Sequence, residues 1–190
     1  MATHNYSHNK TMVRDLIKIT SMVRNTVIHI FKEFDIDESD MNPFELSFFA
    51  MSLVSAAYVF HCPGGKTEKE DILIQYSASL IAVMMKYHGT RFKEVDYDSE
   101  KLSNLYRERH SEYGNVIITI LEKGPIYTNQ HGEKNNPALM LTWSIFEYIT
   151  NKKINEVKEA MINLYFYTSL LMTCIQDAFS EVKKACLHTH

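Results

Sequence analysis

The 190-residue chain is short of cysteine, has no marked excess of either charge and lacks a comfortable membrane span, and each shortage removes a class of function. Its cysteines, Cys62, Cys174 and Cys186, are odd in number and show no CxxC spacing. That fits neither a disulfide framework nor a thiolate zinc site, so a reducing cytoplasm is the expected setting. Twenty Lys and Arg stand against 23 Asp and Glu, interspersed along the chain, for a formal charge of -3. No broad basic surface is available for a phosphate backbone or an anionic lipid, and no nucleic-acid partner is expected. Residues Met1 to Lys10 are polar, without the basic start and apolar stretch of a secretory signal. Internal repeats, low-complexity tracts and complete catalytic signatures are also missing.

Two stretches, Leu46 to Gly65 and Ala160 to Gln176, carry no formal charge. Ser47, Ser52, Ser55, His61 and a Pro-Gly-Gly turn cut the first to about 16 apolar residues, where about 20 are needed to cross a bilayer. The second lies on a heptad-patterned segment with charged ends, and the mean hydropathy of the whole chain is -0.23. Neither is expected to span a membrane.

What is present is helical periodicity at a size typical of one domain. Val13, Leu16, Thr20, Val23, Val27, Ile30 and Phe34 follow alternating steps of three and four, with Ile17, Ile28 and Phe31 beside them. The same stepping returns through Ile154, Val157, Met161, Leu164, Thr168, Leu171, Ile175, Ala178 and Val182, flanked by Phe166 and Met172. The last helix is therefore expected to be the longest, and faces this wide suit a bundle core better than a two-stranded coil.

Capping chemistry marks the helices between. Asn42, Pro43 and Glu45 open one that runs to about His61. Thr67 and Glu70 form a T-x-x-E box opening another, which closes near His88 before Gly89. Small residues on this pair, Ser52 and Ala56 facing Ala78 and Ala82, predict a tight antiparallel hairpin. A fourth helix is expected from Asp98 or Ser99 to Lys123, stopped by Gly124 and Pro125. Gly114 and the β-branched run Val116 to Ile120 leave strand, or a short hairpin around 115–129, as the alternative. Asn136 and Pro137 begin a fifth helix reaching about Ile149. The fold class predicted is all-α: about six helices in one bundle covering 1–190, with 1–9 and 187–190 as flexible tails.

Several clusters can be weighed for chemistry. Pro63, Gly64, Gly65, Lys66 and Thr67 look like the end of a phosphate-binding loop. Phe60 stands where that motif needs its first glycine, and helix precedes it where a strand is required, so a helix-linking turn is the better reading. Asp35, Asp37, Glu38 and Asp40 resemble a calcium loop, but Asp40 occupies the glycine position and Leu46 the bidentate glutamate. A solvated acidic turn is expected there. Tyr106, His110, Tyr113, Ile117 and Ile120 again step by four and three, which sets His110 on the apolar side of its helix between two phenols. An imidazole so placed can serve as acid, base or ligand contact, and equally as a satisfied core residue.

Glu108 and Glu112, four apart, can contribute to a carboxylate metal site, although a solvated acidic face is the plainer reading. His29 and Glu33 form an ordinary i, i+4 surface pair. His61 with Cys62 is expected to lie a helix length from His88. Cys186, His188 and His190 sit on an expected frayed tail, where metal scavenging would be incidental. No cofactor is expected.

With 10 Met, 11 Tyr and 10 Phe and two broadly apolar helices, the chain reads first as an interaction or regulatory protein. Its expected partner is a second copy in a homodimer, or another helical protein. The alternative is a small-ligand binder or enzyme with an internal pocket formed by His110, Tyr106 and Tyr113.

Overall fold

The computed structural model describes residues 2–33, 35–88, 99–153 and 158–188. Among them are six α-helices and one short hairpin. The helices are α1 (Ala2–Lys32), α2 (Pro43–His61), α3 (Lys66–His88), α4 (Ser99–Lys123), α5 (Pro137–Thr150) and α6 (Lys158–His188), so the fold is all-α.

Helix α2 is the axis of the bundle. Every residue from Pro43 to Tyr58 is buried, and the other five helices all pack against it. A helix surrounded on every side keeps no polar face, which explains the uncharged run from Leu46. Among the described residues α2 alone is long and apolar enough to cross a membrane, and 78% of that window is buried inside the protein. Its start is fixed as the sequence predicts: Asn42 Oδ1 accepts from Phe44 N at 3.0 Å and Glu45 N at 3.3 Å. The Asn42 backbone N-H also donates to the Ile149 carbonyl at 2.6 Å, tying this start to the end of α5.

The first and last helices lay their seams on this axis. Leu16, Val23 and Val27 of α1 are buried, as are Leu171, Ala178 and Val182 of α6. Phe34, Ile154, Val157 and Gly89 lie outside the described residues. Helices α1 and α6 each span 31 described residues. They begin at Ala2 and end at His188, taking helix into the segments read as tails.

Two local expectations need correcting. Helix α3 packs more on α1 than on α2, and Ala78 and Ala82 are exposed, so the tight pairing with Ser52 and Ala56 does not form. Buried tyrosine chemistry explains the choice: Tyr76 OH meets Thr20 Oγ1 of α1 at 2.5 Å. Helix α3 also begins at Lys66, which places Thr67 inside its first turn rather than at the cap. Over 115–123 the expected helix forms, and the alternative of a strand there does not. Helix α4 runs unbroken through Gly114 and the β-branched residues, because Tyr113, Ile117 and Ile120 are buried on one face. Gly124, at φ +89°, ends it with the left-handed turn that glycine takes without strain. A hairpin does exist, but further on, pairing Tyr127 with Asn135 and Thr128 with Lys134. Asn136 then caps α5 by accepting from Leu139 N at 2.9 Å.

Candidate functional site

The surface of the bundle opens into a groove between the C-terminal half of α2 and the middle of α4. Ser55, Ala56, Val59, Phe60, His110, Gly114, Ile118, Leu121 and Glu122 line it, and its volume is about 400 Å³, within the roughly 300–1,000 Å³ of small-molecule sites. Large apolar side chains form its rim: Val59 is 51% exposed, Phe60 62% and Ile118 46%. Its floor is open at Gly114, where an added Cβ would meet nothing within 4 Å. Steric fit inside the protein therefore does not require glycine there, although an interior glycine weakens a helix by about 1 kcal/mol relative to alanine.

The neutral polar groups of the lining are Ser55 and His110, with Tyr106 packed behind them. Ser55 Oγ and Tyr106 OH approach at 3.4 Å, a long contact that leaves both hydroxyls with capacity to spare. The Tyr106 and His110 rings lie 5.5 Å apart, and His110 Nδ1 is buried with no hydrogen-bond partner among the described residues. Burial lowers the His110 pKa below its ordinary 6.5, so the ring is neutral at physiological pH. Burial likewise raises the Tyr106 pKa against the opposing Ser55 hydrogen bond. Among the described residues, Glu122, exposed at the mouth, is the one carboxylate of the lining, and no Lys or Arg contributes to it.

Tyr113 does not join Tyr106 and His110. Its ring packs edge-on against Phe49 at 5.6 Å and near Tyr148 at 6.3 Å, with its hydroxyl buried and without a partner among the described residues. Here the same helix face serves a different purpose. Glu45, in the first turn of α2, is buried and held by Arg109 Nε at 2.8 and 3.1 Å. The guanidinium lies over the Tyr148 ring, 3.6 Å from its centroid. Burial raises the Glu45 pKa in spite of Arg109, whose own pKa the Glu45 hydrogen bond and charge raise against burial. This clamp joins α2, α4 and α5.

Glu108 and Glu112 belong to the same clamp, at 3.3 and 3.8 Å from Arg109 Nη1, and Glu112 also accepts from Tyr148 OH at 3.2 Å. Among the described residues no three His, Cys, Asp or Glu side chains gather as a metal site. In the acidic turn, Asp40 pairs with Lys152 and Glu38 with Lys32. Lys66 of the Pro-Gly-Gly turn reaches Glu70 at 3.8 Å. His29 and Glu33 are both exposed.

The cysteines are the main surprise. Cys62 and Cys186 form a disulfide, with Cα atoms 5.3 Å apart. The reading that saw no disulfide in the cysteine count and spacing is thereby corrected for Cys62 and Cys186. The bond joins the end of the axial helix to the end of α6, so Cys186 is buried in packed structure and not on a frayed tail. Beside it Phe60 and His61 pack edge-on against Phe179 at 6.0 and 5.5 Å, which braces one wall of the groove. Cys174 is free, but burial pushes its thiol pKa up to about 12, so it is no nucleophile at neutral pH.

Two other concavities offer less. One between α1, α5 and α6, lined by Phe31, Phe146 and Tyr167 among others, holds only about 10 Å³, a packing void of water size. A cleft of about 310 Å³ between α1 and α6 is lined by Asp177, Glu181 and Lys184, of which Glu181 and Lys184 pair with each other. No family model matches the chain, and no curated protein or solved structure matches it.

Proposed function

We propose that this protein is a binding protein whose α2/α4 groove holds a small apolar ligand. The observation that carries the reading is the open floor at Gly114: a helix weakened by glycine, where no neighbour needs the space, leaves room for an outside group. Apolar walls supply the driving force, at about 25 cal/mol for each Å² removed from water, and Ser55 and His110 supply an orienting point. An enzymatic reading has less support, because Tyr113 faces the Arg109 clamp and leaves His110 and Tyr106 without the third group that the sequence pattern offered.

The test is binding of the neutral dye Nile red to the wild type and to Gly114→Leu, a substitution that favours helix while filling the floor. The dye is expected to bind the wild type and to lose at least tenfold in affinity in Gly114→Leu. Tyr165→Ser, on α6 and outside the groove, is expected to bind as the wild type does. Equal binding by wild type and Gly114→Leu overturns the proposal.

A second reading, self-association, draws on α6, where Ile162 is 68% and Tyr165 71% exposed on neighbouring turns. Such a patch suits a second copy of the chain. Light scattering tests it: a concentration-dependent mass that Tyr165→Ser abolishes supports a homodimer, and a constant mass near 22.1 kDa removes it.

A further inference from the structure

We infer that the ligand of the α2/α4 groove is a neutral molecule with an apolar body and one hydroxyl group, of the alkylphenol or alkanol class. This rests on the reading of the groove as a small-molecule site and specifies what that molecule carries.

The floor sets the head group. Ser55 Oγ and Tyr106 OH make only a 3.4 Å contact, and the neighbouring imidazole has a ring nitrogen with no partner among the described residues. Together these groups still have donor and acceptor capacity, and a hydroxyl, which is both at once, is the smallest neutral group that meets both needs. The imidazole plane turns about its terminal torsion, a soft rotation, so a hydroxyl beside Ser55 can bring a ring nitrogen into partnership. Gly114, with no side chain in the way, lets the ligand reach this depth.

Charge excludes the other common heads. A carboxylate would find no Lys or Arg among the described residues of the lining and a neutral imidazole at the floor, and it would pass Glu122 at the mouth. Its desolvation would go uncompensated. Among the described residues an ammonium finds one opposite charge, Glu122, but in an exposed position where an ion pair is screened and weak. Driven to the floor it would lose its water with no anion to replace it. A ligand without any polar head fits the walls and leaves the floor groups as they are.

Competition against Nile red, on the full chain with its disulfide intact, separates these cases with one carbon skeleton and four heads: 4-butylphenol, butylbenzene, 4-butylbenzoate and 4-butylbenzylamine. The phenol is expected to displace the dye about three to ten times more tightly than butylbenzene, the range of one net hydrogen bond. Benzoate and benzylammonium are expected at least tenfold weaker than the phenol. Ser55→Ala and His110→Phe are each expected to bring the phenol's advantage over butylbenzene toward one. Butylbenzene equal to the phenol overturns the inference and leaves the groove as an apolar site. A tightest benzoate or benzylamine overturns the choice of head group. If none of the four displaces bound dye, the reading of the groove as a small-molecule site falls as well.

Discussion

Replacing Gly114 by alanine should make the protein more stable, which is an uncommon result for a buried position. Gly114 lies well inside α4, where alanine is favoured over glycine by about 1 kcal/mol because it loses less backbone freedom on folding. The usual opposing cost is steric, and here the new Cβ meets nothing within 4 Å. Nor does Gly114 adopt a positive φ that an L side chain would resist. The net expectation is a gain of about 1 kcal/mol, a rise of about 2–4 °C in Tm for a chain of this length. In urea the midpoint should rise by about 0.3–1 M with an unchanged slope. The assay is equilibrium unfolding followed by circular dichroism at 222 nm, wild type beside Gly114→Ala. A loss of stability would mean that a side chain closes the floor in solution, and the groove would no longer be a credible site.

Reducing the disulfide, or replacing Cys62 and Cys186 by serine, frees a loop whose ends lie 124 residues apart. The chain-entropy relation puts the loss at about 5 kcal/mol, readable as a lower denaturation midpoint in reductant. Arg109→Met leaves Glu45 buried without its cation and is expected to cost about 3–5 kcal/mol, whereas adding Glu45→Gln should recover most of it; chemical denaturation of the single and double variants checks this. The lowered pKa of His110 means that the unfolded chain takes up this proton first as pH falls. Stability from this group is therefore complete above its ordinary 6.5 and declines below it until the folded ring also protonates. His110→Phe should flatten that part of the stability profile, and an unchanged slope would contradict the burial of the ring.

Much of the helical layout was legible because its signals are local. Asn42 and Asn136 cap where their side chains predict, and where their side chains are described the seams of α1 and α6 are buried, apart from the half-buried Ile30 and Thr168. The central place of α2 was harder to read, because a helix apolar on all sides has no periodicity to show which neighbours it takes. Its clue was Glu45, a single acid opening an otherwise uncharged run, which is costly to bury as a carboxylate without a cation; Arg109 on the His110 helix is that cation. The disulfide left no trace in spacing, since its partners stand at the ends of two distant helices. In the site, His110 and Tyr106 were visible from their stepping. The groove itself was not, because Gly114 read as a weakness of the helix and Val59, Phe60 and Ile118 as ordinary apolar residues. Exposure is a property of packing, and only the assembled bundle shows which greasy side chains are left outside.

The groove can be tested most directly by methyl NMR during titration with 4-butylphenol. Saturable shifts confined to the methyl groups of Ala56, Val59, Ile118 and Leu121, with Ile162 on α6 unmoved, are the predicted result. Shifts centred on Ile162, or none at the four groove positions when the phenol is near its solubility limit, would contradict it.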